Sequence, residues 1–350
     1  MKEPLKIAIL GAGAMGTTLA AWMTTGGHDV TLIARGENAE RLKNRPVRIL
    51  SGDEVLVGDT RLTVMDGIEA IGGVDLLIVT VKNFDLEGCC QQLVNYIDPE
   101  TLILGLQNGI VNQFILPKYF GNIVYAIANY NAWQEPCSIN TTEDRLDWNV
   151  NINGPIILGT PDNQLQPDVQ KLTKLFSSFI GCQHSLGFVD DAYTKIVSNL
   201  ANSVTTIIGN SHHEEAGIAS LQAVVTEITN EAIQTLEAAD IRPPSKSPLP
   251  PWWVIKLGKL LPNILTRPIF RRKMAMVGST SMASDILSKN TGRSELKSIN
   301  GALLALARKH NVDVPYNCRL YDLCESKFRE TPFQPMSATD LLNHLGGKLT

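Results

Sequence analysis

The sequence has no apolar run of the roughly 18–20 uninterrupted residues that a membrane-spanning helix requires. It also lacks a positive balance: 31 Lys+Arg against 35 Asp+Glu leave a formal net charge of −4, which excludes a nucleic-acid footprint over the whole molecule. Cysteine is sparse and scattered. Cys89, Cys90, Cys137, Cys182, Cys318 and Cys324 form no C-x-x-C pair and no Cys/His spacing of a metal site, so reduced, buried thiols and no metal are expected. No signal-peptide h-region with a cleavage site precedes the first strand-like run, and no internal repeat is found. A cytoplasmic location is the expectation.

What is present is an ordinary globular composition, 44% hydrophobic and 19% charged, on a chain of 350 residues, long enough for two domains of about 100–200 residues each. From residue 6 to about 130, β-branched runs alternate with helical stretches: KIAIL, DVTLIA at 29–34, DLLIVTV at 75–81, TLILGL at 101–106 and NIVYAIA at 122–128. All are apolar on both faces, as strands of a parallel sheet covered by helices are. DWNVNI near 147–152 and PIILG at 155–159 read as a hairpin added to the sheet edge. After residue 188 helical periodicity takes over, at 190–209, 215–239, 273–289, 294–310 and 318–329. The expected fold is therefore α/β: a Rossmann-type parallel-sheet domain over 1–187, then an all-helical domain over 188–350 with an insertion at about 242–273.

In GAGAMG, residues 11–16, Gly11 permits a tight turn after the strand, Gly13 lets backbone approach a pyrophosphate, and Gly16 lets the following helix pack close to the sheet. The loop residues Gly11, Ala12, Gly13, Ala14, Met15 and Gly16 are the first candidate cofactor contacts, with the helix N-terminus aimed at the phosphates. The second strand ends in Arg35 rather than an acid. A guanidinium suits a 2′-phosphate, so NADP is the expected dinucleotide. The alternative, a solvated strand-end arginine, stays open because Glu37 is close by.

In DDAYTKIVSNLANSVTTIIGN, Lys195, Asn199, Asn202 and Ser203 fall at i, i+4, i+7 and i+8 on one helix face, with apolar residues on the others. Glu and Lys form helices better than Asn and Ser, so amides and a hydroxyl beside one lysine suit a wet cleft. A plain solvent-facing stripe fits the spacing too.

With these stretches the chain resembles the ketopantoate reductase (2-dehydropantoate 2-reductase) family over nearly its whole length. GAGAMG with Arg35, VTVKNF with Lys82, LQNG with Asn108, KIVSN with Lys195 and Asn199, SMASD with Ser281 and SELKSING with Glu295 and Asn300 occur in the family's order. The resemblance implies a helical domain of the 6-phosphogluconate dehydrogenase type, a substrate cleft, and hydride delivery from NADPH to a 2-oxo acid. It implies Lys195 as the acid that protonates the carbonyl oxygen, with Glu295 accepting a hydrogen bond from a substrate hydroxyl and lying near the cofactor. Asn108, Asn199, Ser203 and Ser281 become substrate-side groups, and Lys82 and Asn108 lie near the cofactor. Read without the resemblance, Glu295 is also what a helix dipole favours at its start, Ser281 is a residue type that caps helices, and Lys82 is a common strand-end residue.

The chain departs from the family's pattern in places. Val111 stands where a glycine is usual, Ser203 follows Asn202 in place of a second asparagine, Asp285 and Glu295 are further apart, and AIANYNAW is expected to put Asn129 and Tyr130 near the cleft. The substrate is thus ketopantoate or another, more apolar, 2-oxo acid or ketone; an NADP-binding sensor is the non-enzymatic alternative. Residues 242–273 carry Trp252, Trp253, Lys256, Lys259, Arg267, Arg271, Arg272 and Lys273 among aliphatic residues, broken by Pro262 and Pro268. They cannot span a membrane; an extra lobe on the helical domain, a lid, or a peripheral contact with a membrane surface are the readings. A small-molecule substrate is the expected partner, no nucleic acid is, and a homodimer is open.

Overall fold

In a computed structural model, residues 4–69, 71–134, 144–209, 217–243, 250–260, 263–275, 280–288 and 292–347 are described. The chain divides into two units, Met1–Phe188 and Val189–Thr350.

Unit 1 begins β1 (Lys6–Leu10), α1 (Ala14–Thr25), β2 (Asp29–Ala34), α2 (Gly36–Asn44), β3 (Val47–Ser51), β4 (Glu54–Thr60), β5 (Thr63–Asp66), β6 (Leu76–Val79) and α3 (Asn83–Leu93). It continues through β7 (Leu102–Gly105), α4 (Asn112–Ile115), β8 (Ile123–Ile127), β9 (Tyr130–Gln134), β10 (Leu146–Ile152), β11 (Ile156–Gly159), α5 (Gln166–Phe176) and β12 (Cys182–His184). The five apolar runs read from the sequence become β1, β2, β6, β7 and β8 of an eight-stranded sheet of order β12-β11-β8-β7-β6-β1-β2-β5, in which β8, β7, β6, β1, β2 and β5 are mutually parallel. From β1 the chain moves out to β2 and β5, then returns on the other side of β1 as β6. The C-terminal ends of β1 and β6 therefore flank the topological switch point, where doubly wound sheets bind ligands.

The expected edge hairpin is not formed. β10 lies in a second sheet of order β4-β3-β10-β9, whereas β11 pairs antiparallel with β8 and parallel with β12 in the first sheet. β10 runs parallel to β3, and the seam carries a two-pronged pair, Arg48 Nε to Asp147 Oδ1 at 2.9 Å and Nη2 to Oδ2 at 2.6 Å. The chain changes sheets twice at one place. It leaves β8 for β9 at Asn129 and returns from β10 to β11 at Asn153–Pro155; Asn153 N donates to Asn129 O at 2.9 Å, and Asn129 Nδ2 donates to Pro155 O at 2.9 Å. Strands β3, β4, β5 and β12 carried too little apolar pattern to be read beforehand. Asn129 and Tyr130 were expected by a cleft. Instead Asn129 ties the two sheet crossings together, and Tyr130 turns into the unit 1 core, its ring edge-on to Trp22 at 5.7 Å. Trp22 in turn stacks on Phe179 at 5.8 Å.

Unit 2 is helical: α6 (Phe188–Asn199), which starts one residue before the division, α7 (Ala201–Ile208), α8 (Ile218–Ala238), α9 (Trp252–Leu260), α10 (Asn263–Ala275), α11 (Ser281–Ala283), α12 (Leu296–Lys309), α13 (Pro315–Lys327) and α14 (Ala338–His344). The helix expected over 190–209 is broken at Leu200. Ser198 Oγ takes the Lys195 carbonyl and Ser203 Oγ the Leu200 carbonyl, each at 2.8 Å. Hydroxyls that bond back one turn bend helices, and here the Ser203 N–H bonds to Leu200 O, three residues back. The helix expected over 273–289 is also divided: α10 ends at Ala275, and α11 is a short turn that runs into a π-helical turn at Ser284–Ser288. Thr280 caps α11, accepting from Ala283 N at 3.1 Å, so Ser281 is not the cap. Residues 242–273 supply α9 and α10, both packed on α8.

A buried carboxylate ties α8 to α13. Glu231 of α8 accepts from the backbone N–H groups of Tyr316 and Asn317 at 2.8 and 2.9 Å and from Asn317 Nδ2 at 2.8 Å. It thereby caps α13, whose own N-cap, Val314, has no side-chain acceptor. Burial pushes the Glu231 pKa up despite these hydrogen bonds. Replacing Glu231 by Ala orphans the two backbone N–H groups and leaves Asn317 Nδ2 only its bond to Ile228 O, and is expected to lower unfolding stability by about 3 kcal/mol. A chemical-denaturation midpoint equal to that of the parent would refute this account.

Candidate functional site

The glycine loop in unit 1 is shaped by steric exclusion. Gly11 has φ +110°, and a Cβ there would lie 2.8 Å from Thr80 Oγ1 and 2.9 Å from Val81 N; at Gly16 it would meet Gly11 O, a backbone atom that cannot yield. Gly13 differs: φ is −77° and a Cβ would meet no atom within 4 Å. The space over Gly13 is therefore open, and a ligand group can approach the main chain there. α1 starts at Ala14 with no side-chain cap and no acid in its first turn. Its free N–H groups and positive dipole end are left for an anion. A dinucleotide pyrophosphate fits this cradle. Two side chains fix the loop: the Thr80 hydroxyl lies 3.0 Å from Leu10 O and 2.8 Å from Gly11 O, and Asn38 Nδ2 donates to Ala12 O at 2.8 Å.

The other unit 1 candidates stand at neighbouring strand ends. Arg35 follows β2, exposed, its Nη2 donating to Gln92 Oε1 on α3 at 3.3 Å. Lys82 follows β6 as the half-buried N-cap residue of α3. Asn108 follows β7, half-buried, its carbonyl accepting from Asn83 Nδ2 at 2.6 Å. Below it, Gln107 Nε2 donates to Val79 O at 2.6 Å and Asn112 Nδ2 donates to Gln107 Oε1 at 3.0 Å. These amides hold the Asn108–Gly109 turn, where Gly109 takes φ +84°.

In unit 2, Lys195 lies on α6 just before the break at Leu200, with Asn199 half-buried one turn on. The Lys195 ammonium has no hydrogen bond or ion pair among the described residues. Burial holds its pKa below the ordinary lysine range. Ser203 is fully buried; besides bonding Leu200 O, its hydroxyl accepts from Asn300 Nδ2 at 3.0 Å, which ties α7 to α12. Ser281 and Glu295, fourteen residues apart, are brought together: Ser281 Oγ donates to Glu295 Oε2 at 3.4 Å. Glu295 is the buried N-cap residue of α12, and its side chain makes no capping bond.

Thr80, Asn38, Asn83, Gln107, Asn112 and Gln92 were not anticipated. For Thr80, Asn83 and Gln107 a usable signal existed, since polar residues within a few positions of the end of a buried parallel strand sit at the binding edge of the sheet. Among the described residues no group of three or more His, Cys, Asp or Glu could hold a metal ion, and no helix is long and apolar enough to cross a membrane.

Comparisons with known proteins fit both units. Residues 7–151 match the family Ketopantoate reductase PanE/ApbA, and residues 188–327 match Ketopantoate reductase PanE/ApbA C terminal. A 2-dehydropantoate 2-reductase of Lactococcus lactis is 24% identical over 336 residues, covering 92% of this chain and 98% of its own. In fold, the chain is similar to D-mandelate dehydrogenase solved with NADH and anilino(oxo)acetate (TM-score 0.72, 22% identity, 93% of this chain and 98% of that one). It is also similar to a PanE/ApbA family ketopantoate reductase from Ralstonia eutropha (TM-score 0.66, 20% identity, 93% and 100%). With both of its halves matched in order, the chain belongs to the ketopantoate reductase family of NADP-dependent oxidoreductases.

Proposed function

We propose that the protein reduces a 2-oxo acid to the 2-hydroxy acid with NADPH, in the cytoplasm, and that ketopantoate is the first substrate to test. The observation that carries this reading is the Lys195 ammonium: desolvated on α6, with no partner among the described residues. An ammonium stripped of much of its hydration, with no partner to replace it, is costly. Such a group is accounted for when an anionic or carbonyl-bearing ligand completes its surroundings.

In this reading Gly11–Gly16 and the N-terminus of α1 hold the pyrophosphate, Arg35 the 2′-phosphate, and Lys82 and Asn108 the ribose and nicotinamide side. NADPH, when bound, supplies the hydride. Lys195 gives its proton to the carbonyl oxygen as that oxygen gains negative charge, and its own charge favours that change. Asn199 and Ser281 hold the substrate's oxygens, and Glu295, held by Ser281, accepts from a substrate hydroxyl. Ser203, closed off by Asn300, serves as a positioning residue that holds α7 against α12. A second reading keeps the chemistry and changes the substrate to a more apolar 2-oxo acid. Val111, where the resemblance leads one to expect glycine, favours it, as does the D-mandelate dehydrogenase among the similar solved structures.

Lys195→Ala is expected to slow NADPH oxidation with the preferred 2-oxo acid by about 10²–10⁴-fold. In the parent enzyme kcat/KM should fall as pH rises through a pKa below the usual lysine range, because the acid must be protonated, and this limb should vanish in the variant. An unchanged rate, or an unchanged alkaline limb, would remove Lys195 from the role. Turnover restricted to aryl or branched 2-oxo acids in a substrate panel would select the second reading. Gly13→Ala is expected to keep the parent's melting temperature and lose NADPH affinity, whereas Gly16→Ala loses both; a Gly13→Ala variant that binds NADPH normally would show that the open space is not the pyrophosphate site. Arg35→Ala should weaken NADPH binding and leave NADH binding nearly unchanged, as titrations of each cofactor would reveal.

A further inference from the structure

Between Ile241 and Ser284 the chain carries no Asp or Glu and eight cations: Arg242, Lys246, Lys256, Lys259, Arg267, Arg271, Arg272 and Lys273. A net charge of −4 for the whole chain and +8 for this segment leave −12 for the remainder. The segment folds as α9 and α10, fixed to α8 from beneath. Trp252 and Met274 are buried, Lys256 Nζ donates to Glu237 Oε1 at 2.7 Å, and Gln222 Nε2 donates to Thr266 Oγ1 at 2.6 Å.

The outer faces carry a different chemistry. Among the described residues of unit 2 six large apolar side chains are exposed, and five of them, Trp253, Val254, Leu257, Leu265 and Ile269, lie on these two helices. Trp253, Val254 and Leu257 share one face of α9. Leu265 and Ile269 are one turn apart on α10, and exposed Arg272 continues their stripe, with exposed Arg271 beside it. Soluble chains rarely leave such a concentration uncovered without a use for it.

We propose that the α9–α10 face is a peripheral docking surface for an anionic phospholipid bilayer. Tryptophan and aliphatic side chains flanked by arginine match the interfacial zone, where the first partition below the headgroups and the second pair with their phosphates. The charge distribution supplies the orientation: a remainder of −12 is repelled by an anionic surface, so only this face approaches it. Neither helix is long and apolar enough to cross a bilayer; the contact is in-plane and reversible. It leaves the chemistry of the proposed reductase untouched and adds a location for it.

The test is co-sedimentation of the full-length protein with phosphatidylcholine vesicles, with and without phosphatidylglycerol, alongside Trp253→Glu and the double variant Arg271→Glu/Arg272→Glu. The parent should pellet with the phosphatidylglycerol vesicles, less at raised salt and little with phosphatidylcholine alone. Each variant should lose roughly tenfold or more of that partitioning while keeping the parent's circular dichroism and NADPH oxidation rate. A parent protein that stays in the supernatant at low salt, or variants that bind as well as the parent, would overturn the proposal. So would a parent dimer that Trp253→Glu dissociates, in the absence of vesicle binding; that result would assign the face to a second copy of the chain.

Discussion

The architecture of unit 1 depends on one exclusion: nothing larger than hydrogen fits at Gly16 against the carbonyl of Gly11. That contact sets how close α1 comes to the end of β1. It thereby sets where the uncapped amides of α1 emerge, beside the switch point between β1 and β6. Thr80 reinforces it from the next strand, with its hydroxyl over Leu10 and Gly11. The openness over Gly13 is the complement of the crowding at its neighbours. In one six-residue loop, two glycines are demanded by the protein's own packing and the third faces open space.

Much of this was legible in the sequence because each of the three glycines has a separate physical reason and the flanking β and α patterns are long. Ser281 and Glu295 were selected together through their order along the chain, and the structure joins them by a hydrogen bond. What the sequence concealed lay in side-chain hydrogen bonds, some of them one turn away and others with partners far along the chain. The break at Leu200 arises from serine hydroxyls that a helical periodicity treats as neutral. The burial of Ser203 depends on Asn300, 97 residues on. Tyr130 faces inward because β9 leaves the main sheet, a change of direction set by Asn129 and Pro155, which no local propensity records. The second sheet was missed for the same reason: β3 finds its partner β10 only across some 99 residues.

Two desolvated ionisable groups of unit 2, buried Glu231 and half-buried Lys195, differ in what surrounds them. Glu231 is charge-balanced by geometry alone: three donors converge on it, and its cost is offset by the helix it caps. Lys195 is desolvated without such compensation among the described residues. Burial shifts both pKa values toward the neutral form, but only at Glu231 do hydrogen-bond donors offset part of that cost.

The passage of the chain through Asn129 has a consequence for how such a domain changes over time. The strand that departs at residue 128 and the one that returns at residue 155 are clasped by the same asparagine, so everything between them is an appendage whose length the parent sheet does not register. The β3–β4 ribbon is a second appendage, inserted between α2 and β5. Each supplies the other's partner along the Arg48–Asp147 seam, so any shift in register there must occur in both ribbons together.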